Sequence, residues 1–377
     1  MVEKFTSLSY PEILDEDIIC INQSIKEINM GLISTIIPEF ENKLCLYNKV
    51  KFSVALSSGT SAIHLALLAL KIGPGDKVII PTLTFAGSAF PVKYLGALPV
   101  FLDVNPDNLT IDLDLLEKYL KSCKANNLPK LILSVDLFGK CCDYDRLFEI
   151  ANHFEIPVLI DSAESLGSLY KETPAASLGV ISILSFNSNK LVTTTGGGAI
   201  LTNNEQLAST IRKLSNQARE NFHWYEHSEI GYNYRLSPIL AALGMSQLSR
   251  IDKIVEKRRK IRQTYKDNLE LLEGIQVSTD SIWEKSNAWL TTIKIKKKNY
   301  ANGRDLIYES LAKSKIEARF IWKPLHMQPV FSNSECIING TSESAFYTSL
   351  CLPSSQNLSY DRVLEICDIV KDSLTGK

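Results

Sequence analysis

Residues Lys51-Phe52-Ser53-Val54-Ala55-Leu56-Ser57-Ser58-Gly59-Thr60-Ser61 join a β-branched, apolar run to a serine–glycine turn, and a helical pattern continues from Thr60 to Lys71. Gly73-Pro74-Gly75 closes that helix, and Lys77 to Ile80 reads as the next strand. The unit then repeats. Ala86 to Leu95 is helical, Leu98 to Val104 a strand, Asp112 to Lys124 a helix and Leu131 to Asp136 a strand. Asp143 to Phe154 follows as a helix and Pro157 to Ile160 as a strand, with further strands over Ile181 to Phe186 and Gly198 to Leu201. Strands alternating with helices in this way imply an α/β fold whose mostly parallel sheet is covered on both faces. In such a sheet, ligands sit at the carboxyl ends of the strands.

Past Arg250 the texture changes. Ile251, Ile254, Val255, Ile261, Tyr265 and Leu269 fall at helical spacing around Lys257-Arg258-Arg259-Lys260, a basic run that reads as the solvated face of a long helix. The expected organisation is a large domain over residues 1–248, with an N-terminal segment able to pack on its smaller neighbour, and a small C-terminal α+β domain over 249–377.

Composition excludes several classes. The chain has 377 residues, 45% apolar and 22% charged, which is globular rather than disordered or fibrous. Its 41 Lys and Arg against 42 Asp and Glu leave a net charge of −1, so there is no basic excess to hold a nucleic acid or an anionic membrane. Residues 1–17 carry no basic-then-apolar leader, and no run of 18 apolar residues occurs. The eight cysteines are scattered without a Cys-x-x-Cys pair, against a zinc site and a secreted disulfide frame. A cytoplasmic protein with reduced thiols is expected. His223 and His227 have the i, i+4 spacing of a metal pair, but no third ligand accompanies them, so no metal is expected.

Three strand ends carry chemistry. At Ser57-Ser58-Gly59-Thr60-Ser61, glycine admits a ligand to the backbone and free N–H groups at the helix start favour an anion such as a phosphate; the same residues also serve as an ordinary cap. At Val158-Leu159-Ile160-Asp161-Ser162-Ala163-Glu164 a carboxylate follows a buried strand, as a ligand group or as a loop carboxylate. At Leu184-Ser185-Phe186-Asn187-Ser188-Asn189-Lys190, a lysine lies between a strand and the run Gly196-Gly197-Gly198. Most lysines are surface residues, but one held out of water acts as a nucleophile and then a base. Together the three fit pyridoxal 5′-phosphate, which needs a phosphate cradle, a carboxylate for its ring nitrogen and a lysine for its aldehyde. Phe85 either stacks on that ring or packs in the core.

With these residues assembled, the chain resembles the DegT/StrS-type sugar aminotransferases, which have the aspartate aminotransferase fold (fold type I). The landmarks are Ser58-Gly59-Thr60-Ser61-Ala62, Pro81-x-Leu83-Thr84-Phe85, Asp161-Ser162-Ala163-Glu164 and Ser185-Phe186-Asn187-x-Asn189-Lys190. Gly231-Tyr232-Asn233-Tyr234-Arg235-Leu236-Ser237 and Trp322-Lys323-Pro324-Leu325-His326 complete the match along nearly the whole chain. The resemblance implies that Lys190 bonds the cofactor's aldehyde and then moves the proton, while Asp161 pairs with the ring nitrogen. It places Phe85 on one ring face, Ala163 under the other, Glu164 near the 3-hydroxyl, Gly59 and Asn187 beside the cofactor, and Thr60, Ser61 and Ser185 on the phosphate. Asn233 would reach the cofactor of a second subunit, implying a homodimer with shared active sites. Pyridoxamine 5′-phosphate would be the form between the two half-reactions.

Gln217-Ala218-Arg219-Glu220, Tyr225-Glu226-His227 and Gly231 to Arg235 look like the aminotransferases of the UDP-N-acetylbacillosamine and legionaminic acid pathways. Those move the amino group of L-glutamate to C4 of a UDP-2-acetamido-2,6-dideoxy-4-keto-hexose, for surface glycans such as lipopolysaccharide O-antigen. Arg219, His227, Tyr232, Arg235, Trp322 and His326 are then candidate substrate contacts, each equally able to serve in packing or on the surface. A C3 or a GDP- or dTDP-linked aminotransferase of the same fold is the alternative, and a non-catalytic regulator that binds the cofactor is another. Related dehydratases carry His where Lys190 stands. A nicotinamide-dependent enzyme would need a glycine motif before the Tyr47–Lys51 pair, and none is there.

Overall fold

The computed structural model describes residues 5–30 and 33–375. Its strands are β1 (Phe52–Leu56), β2 (Lys77–Pro81), β3 (Leu98–Leu102), β4 (Leu131–Val135), β5 (Val158–Asp161), β6 (Leu169–Tyr170), β7 (Thr173–Pro174), β8 (Ile181–Ser185) and β9 (Gly198–Thr202). Then follow β10 (Ile275–Val277), β11 (Glu284–Lys285), β12 (Thr291–Ile295), β13 (Arg319–Phe320), β14 (Glu335–Ile337) and β15 (Ser349–Leu352). An 8-stranded sheet has the order β1-β9-β8-β5-β4-β2-β3-β14. Only β9 runs against its neighbours, β1 and β8; every other pair is parallel. The carboxyl ends of β1, β2, β4, β5 and β8 therefore meet along one edge, and β9 starts there, with Gly198 opposite both Leu56 and Ser185. The central strands read as unbroken apolar runs because both faces are covered: every residue of β4 is buried.

Helix starts follow the polar residues. Ser58 accepts from Ser61 N, Asp112 from Leu115 N and Asn204 from Leu207 N, each supplying an acceptor to a first-turn amide. One expected helix is broken. Ala86 to Leu95 forms a 3₁₀ turn over Ala86–Ser88 and a short helix over Phe90–Tyr94. Pro91 has no N–H and its ring crowds the carbonyl of Gly87, so a continuous helix cannot pass through it.

A 4-stranded antiparallel sheet, β10-β12-β15-β13, gathers the later residues. The N-terminal segment pairs with the chain just before β13: Thr6 N donates to Lys315 O (3.0 Å) and Glu317 N to Thr6 O (2.8 Å). Not everything after residue 249 belongs to this sheet, since β14 forms the edge of the larger one beside β3. The helix Ile251–Leu269 spans both cores, burying Ile251, Ile254 and Val255 in one and Ile261, Tyr265 and Leu269 in the other. Its basic run is not wholly a solvated face. Arg258 is fully buried, donating to Trp289 O (2.6 Å) and Gln356 Oε1 (2.9 Å). Burial pushes its guanidinium down to about 9. It lies on the stripe of Ile254, Ile261 and Tyr265, so helical spacing carries it inward. Among the described residues, no helix is long and apolar enough to cross a membrane.

Candidate active site

The shared strand edge opens into a cleft of about 400 Å³. Asp161 ends β5 at its floor. Ser88 Oγ donates to its Oδ2 (2.7 Å) and Ala163 N to its Oδ1 (3.1 Å), and Ser88 Oγ lies 3.0 Å from Thr84 Oγ1. Burial raises this carboxyl above the ordinary range, while both donors and the charge on Lys190 pull it down. Glu164 is also buried and raised by burial, with Phe138 N donating to Oε2 (2.6 Å) and Lys190 Nζ 3.5 Å from Oε1. That last distance is the far limit of a hydrogen bond. The other partner of Nζ is an indole face: Lys190 Nζ lies 3.8 Å from the Trp289 ring centroid.

The turn after β1 lies against this floor. Gly59 and Thr60 line the cleft at the first turn of the helix Gly59–Ala69, where the amides lack intrahelical acceptors. A side chain at Gly198 would put a Cβ 2.5 Å from the Ser58 carbonyl carbon, so β9 can approach the turn only as glycine. Phe85, Ala163, Ser185, Asn187 and Trp322 also line the cleft, and Phe85 is 64% exposed.

Other expected residues lie elsewhere. Ser61 is buried beside the turn, its hydroxyl donating to Ser58 O (2.8 Å) and accepting from Ser58 N (2.9 Å). His326 is engaged by Thr82 Oγ1 (2.7 Å) and Glu343 Oε1 (3.0 Å), outside the lining. Arg219, His227, Tyr232, Asn233 and Arg235 belong to an arm over residues 216–235 that does not line the cleft in this chain. There the Arg219 guanidinium lies over the Tyr225 ring (4.3 Å) and His227 Nδ1 lies 2.8 Å from Gln217 O. Tyr232 packs edge-on against His64 and stacks on Tyr234. Among the described residues, no three His, Cys, Asp or Glu come together to hold a metal ion.

Four participants carry no local signal in the sequence. Ser88 holds Asp161, and Trp289 and Arg319 line the cleft. Asn287, fully buried, donates through Nδ2 to the carbonyls of Glu164 (2.8 Å) and Leu166 (2.9 Å) and accepts from Trp289 N (2.8 Å). Gly139, at φ +92°, packs against it: a Cβ there would lie 1.9 Å from Asn287 Oδ1. Beneath the floor, Asp136 accepts from the Tyr144 hydroxyl, Ser165 Oγ (2.5 Å) and Ser162 Oγ (3.2 Å), and burial pushes it up to about 7.

The residues present fit pyridoxal phosphate. A buried acid held by two donors faces the same cleft as a lysine, and an open helix start with Thr60 and Ser185 adjoins both.

Comparison with known proteins agrees. Residues 16–371 match the DegT/DnrJ/EryC1/StrS aminotransferase family. EpsN of Bacillus subtilis (strain 168) is 38% identical over 367 residues, covering 95% of this chain and 94% of that one. GDP-perosamine synthase of Escherichia coli O157:H7 is 32% identical, covering 99% and 100%. UDP-4-amino-4,6-dideoxy-N-acetyl-beta-L-altrosamine transaminase of Campylobacter jejuni (strain 81-176) is 32% identical, covering 90% and 88%. Among solved structures, the PLP-form of Spr1654 from Streptococcus pneumoniae superposes with a TM-score of 0.89 at 28% identity, covering 99% of each chain. This chain belongs to the DegT/DnrJ/EryC1/StrS aminotransferase family and is a pyridoxal-phosphate-dependent sugar aminotransferase of fold type I.

Proposed function

We propose that this aminotransferase moves the amino group of L-glutamate to the C4 ketone of a UDP-2-acetamido-2,6-dideoxy-4-keto-hexose, giving a UDP-linked 4-amino sugar for surface glycan synthesis in the cytoplasm. The chemistry rests on one observation, the gathering of Lys190, Asp161 and Glu164 at a single strand edge. Bound pyridoxal phosphate supplies the electron sink for exchanging an amine with a ketone. Lys190 Nζ holds the cofactor covalently, then takes a proton from the donor's carbon and later returns one to the sugar's C4. Asp161, fixed by Ser88 and Ala163, keeps a negative charge at the ring nitrogen. Glu164 would face the 3-hydroxyl, Phe85 and Ala163 the two ring faces and Thr60 and Ser185 the phosphate, with Gly59 and Asn187 beside the cofactor.

We take residues 1–248 as the cofactor-binding domain and 249–377 as the small domain, with β14 its contribution to the larger sheet. The arm over residues 216–235 serves a second copy, Asn233 reaching the partner's phosphate and Arg219, His227, Tyr232 and Arg235 its sugar, with Trp322 supplied from within the cleft. The UDP-linked N-acetyl sugar is favoured by the 217–235 sequence and by the Campylobacter relative's substrate. A GDP-linked 4-keto sugar is the second reading, favoured by the GDP-perosamine synthase that matches end to end.

A spectroscopic titration tests this. L-glutamate should bleach the visible band of the bound cofactor, and the UDP-linked 4-keto sugar should restore it. Restoration only by a GDP-linked 4-keto-6-deoxyhexose would select the second reading, and restoration by neither would remove both.

A further inference from the structure

We propose that Trp289 takes part in the reaction: its indole face holds the Lys190 ammonium whenever that amine is not bonded to the cofactor, keeping Nζ inside the cleft between the two half-reactions. The inference rests on Lys190 being the reacting amine.

The ring lies where this requires. Lys190 Nζ is 3.8 Å from its centroid, well inside the range at which a cation is drawn to an aromatic face. Trp289 is 1% exposed, so the attraction acts largely out of water. Trp289 is also anchored at its main chain and its ring. Its N donates to Asn287 Oδ1 (2.8 Å), its carbonyl accepts from Arg258 Nη1 (2.6 Å) and its Nε1 donates to Asn189 O (2.9 Å). The last bond is to the peptide that precedes Lys190, so the ring is tied to the chain that carries the amine. Every polar atom of Trp289 is thereby satisfied, and the face is fixed before any ligand arrives.

The other charged groups facing Nζ do not replace it. Glu164 Oε1 is 3.5 Å away and already accepts from Phe138 N through its second oxygen. Asp161 acts on Lys190 only through its charge, being bonded to Ser88 and Ala163. Arg319 lines the same cleft with the same sign as the lysine. A released amine thus has, beside the Glu164 carboxylate, a rigid uncharged face suited to its charged form, one that makes no directional bond to break when the amine returns to the cofactor.

Fluorinated tryptophans test this without changing shape, because each ring fluorine drains the negative face. The pyridoxamine-phosphate form of the holoenzyme, carrying tryptophan with zero to three ring fluorines at position 289 alone, is treated with acrylonitrile, a neutral amine reagent. Labelling of the peptide containing Lys190 is followed by mass spectrometry at one pH. Labelling should rise stepwise with fluorine number, reaching about tenfold for three fluorines as the ring loses its hold on the ammonium. A flat series would overturn the proposal. The premise is checked separately: if Lys190→Ala still shows the visible band of a lysine-bonded cofactor, Lys190 is not the reacting amine. A normal wild-type band with a flat fluorine series removes Trp289 alone.

Discussion

The cleft and the 216–235 arm are equally rich in motif residues, yet the chain holds them in opposite ways. In the cleft, Asp161 and Glu164 are buried at strand ends and each has a donor fixing it from another part of the chain. The arm is anchored at its base, where Ser57 N donates to Tyr234 O (2.8 Å) and Tyr232 packs on His64; toward its tip it is held by itself, Arg219 bridging to His227 and the Phe222 and Trp224 rings stacking on each other. Its Trp224, Tyr225 and Ile230 are 59%, 78% and 85% exposed, an apolar surface that one copy leaves uncovered. On the proposed reading, a single chain builds the reacting groups of a site, Lys190, Asp161 and Glu164, and presents outward the residues that complete a second copy's phosphate and sugar contacts. Chemistry is then an intrachain property and sugar recognition an interchain one.

That division can be broken by experiment. The largest effect is expected inside the cleft. Lys190→Ala should lower turnover by about 10⁴-fold or more while the thermal transition stays near wild type, because a proton-transfer group is lost but no core packing. Undiminished turnover would show that the cleft's chemistry lies elsewhere. Next comes the arm. Asn233→Ala should weaken cofactor retention about tenfold, the order of a hydrogen bond to a charged group. Co-expression with Lys190→Ala chains should then give mixed assemblies more active at limiting cofactor than either parent. Activity no better than the parents would return the arm to its own chain.

The smallest effect sharpens the buried side. Asp136 has its carboxyl raised to about 7 by burial, so its contribution to stability is complete below the usual carboxylate range near 4 and is lost as pH rises through about 7. Asp136→Asn, neutral throughout, should gain on wild type between pH 4.5 and 7 by about 2 kcal/mol, read from urea midpoints at each pH. A constant gap would mean that the hydroxyls of Tyr144, Ser162 and Ser165 already stabilise the charged form fully.

The strand-end motifs were legible because each is local: a strand, a turn and a glycine are written within a few consecutive residues, as in Leu56 to Thr60 or Ser185 to Lys190. Ser88, Trp289, Asn287 and Arg319 were not, since each reaches the site through contacts with chain far from its own neighbours. Arg258 is an instructive case. Its charge suggested solvent, while its spacing from Ile254 and Ile261 put it on the apolar stripe, and the spacing prevailed because Trp289 O and Gln356 supply acceptors. Ser61 and His326 illustrate the opposite ambiguity. Hydroxyls and imidazoles suit caps and ligands equally, and here Ser58, Thr82 and Glu343 occupy them. Pro91, set within an otherwise helical pattern, does not interrupt the helix expected over Ala86 to Leu95, although its ring breaks it.

The contact of Gly139 with Asn287 reaches beyond this one molecule. Positions so far apart in the chain, yet sharing the space of a single Cβ, form one heritable unit. A lineage that gives residue 139 a side chain must shorten residue 287 in the same step, so the two should co-vary among relatives. Chimaeras that splice residues 1–248 of one relative onto 249–377 of another separate that pair at the seam, and those whose donors differ at both positions should fail first.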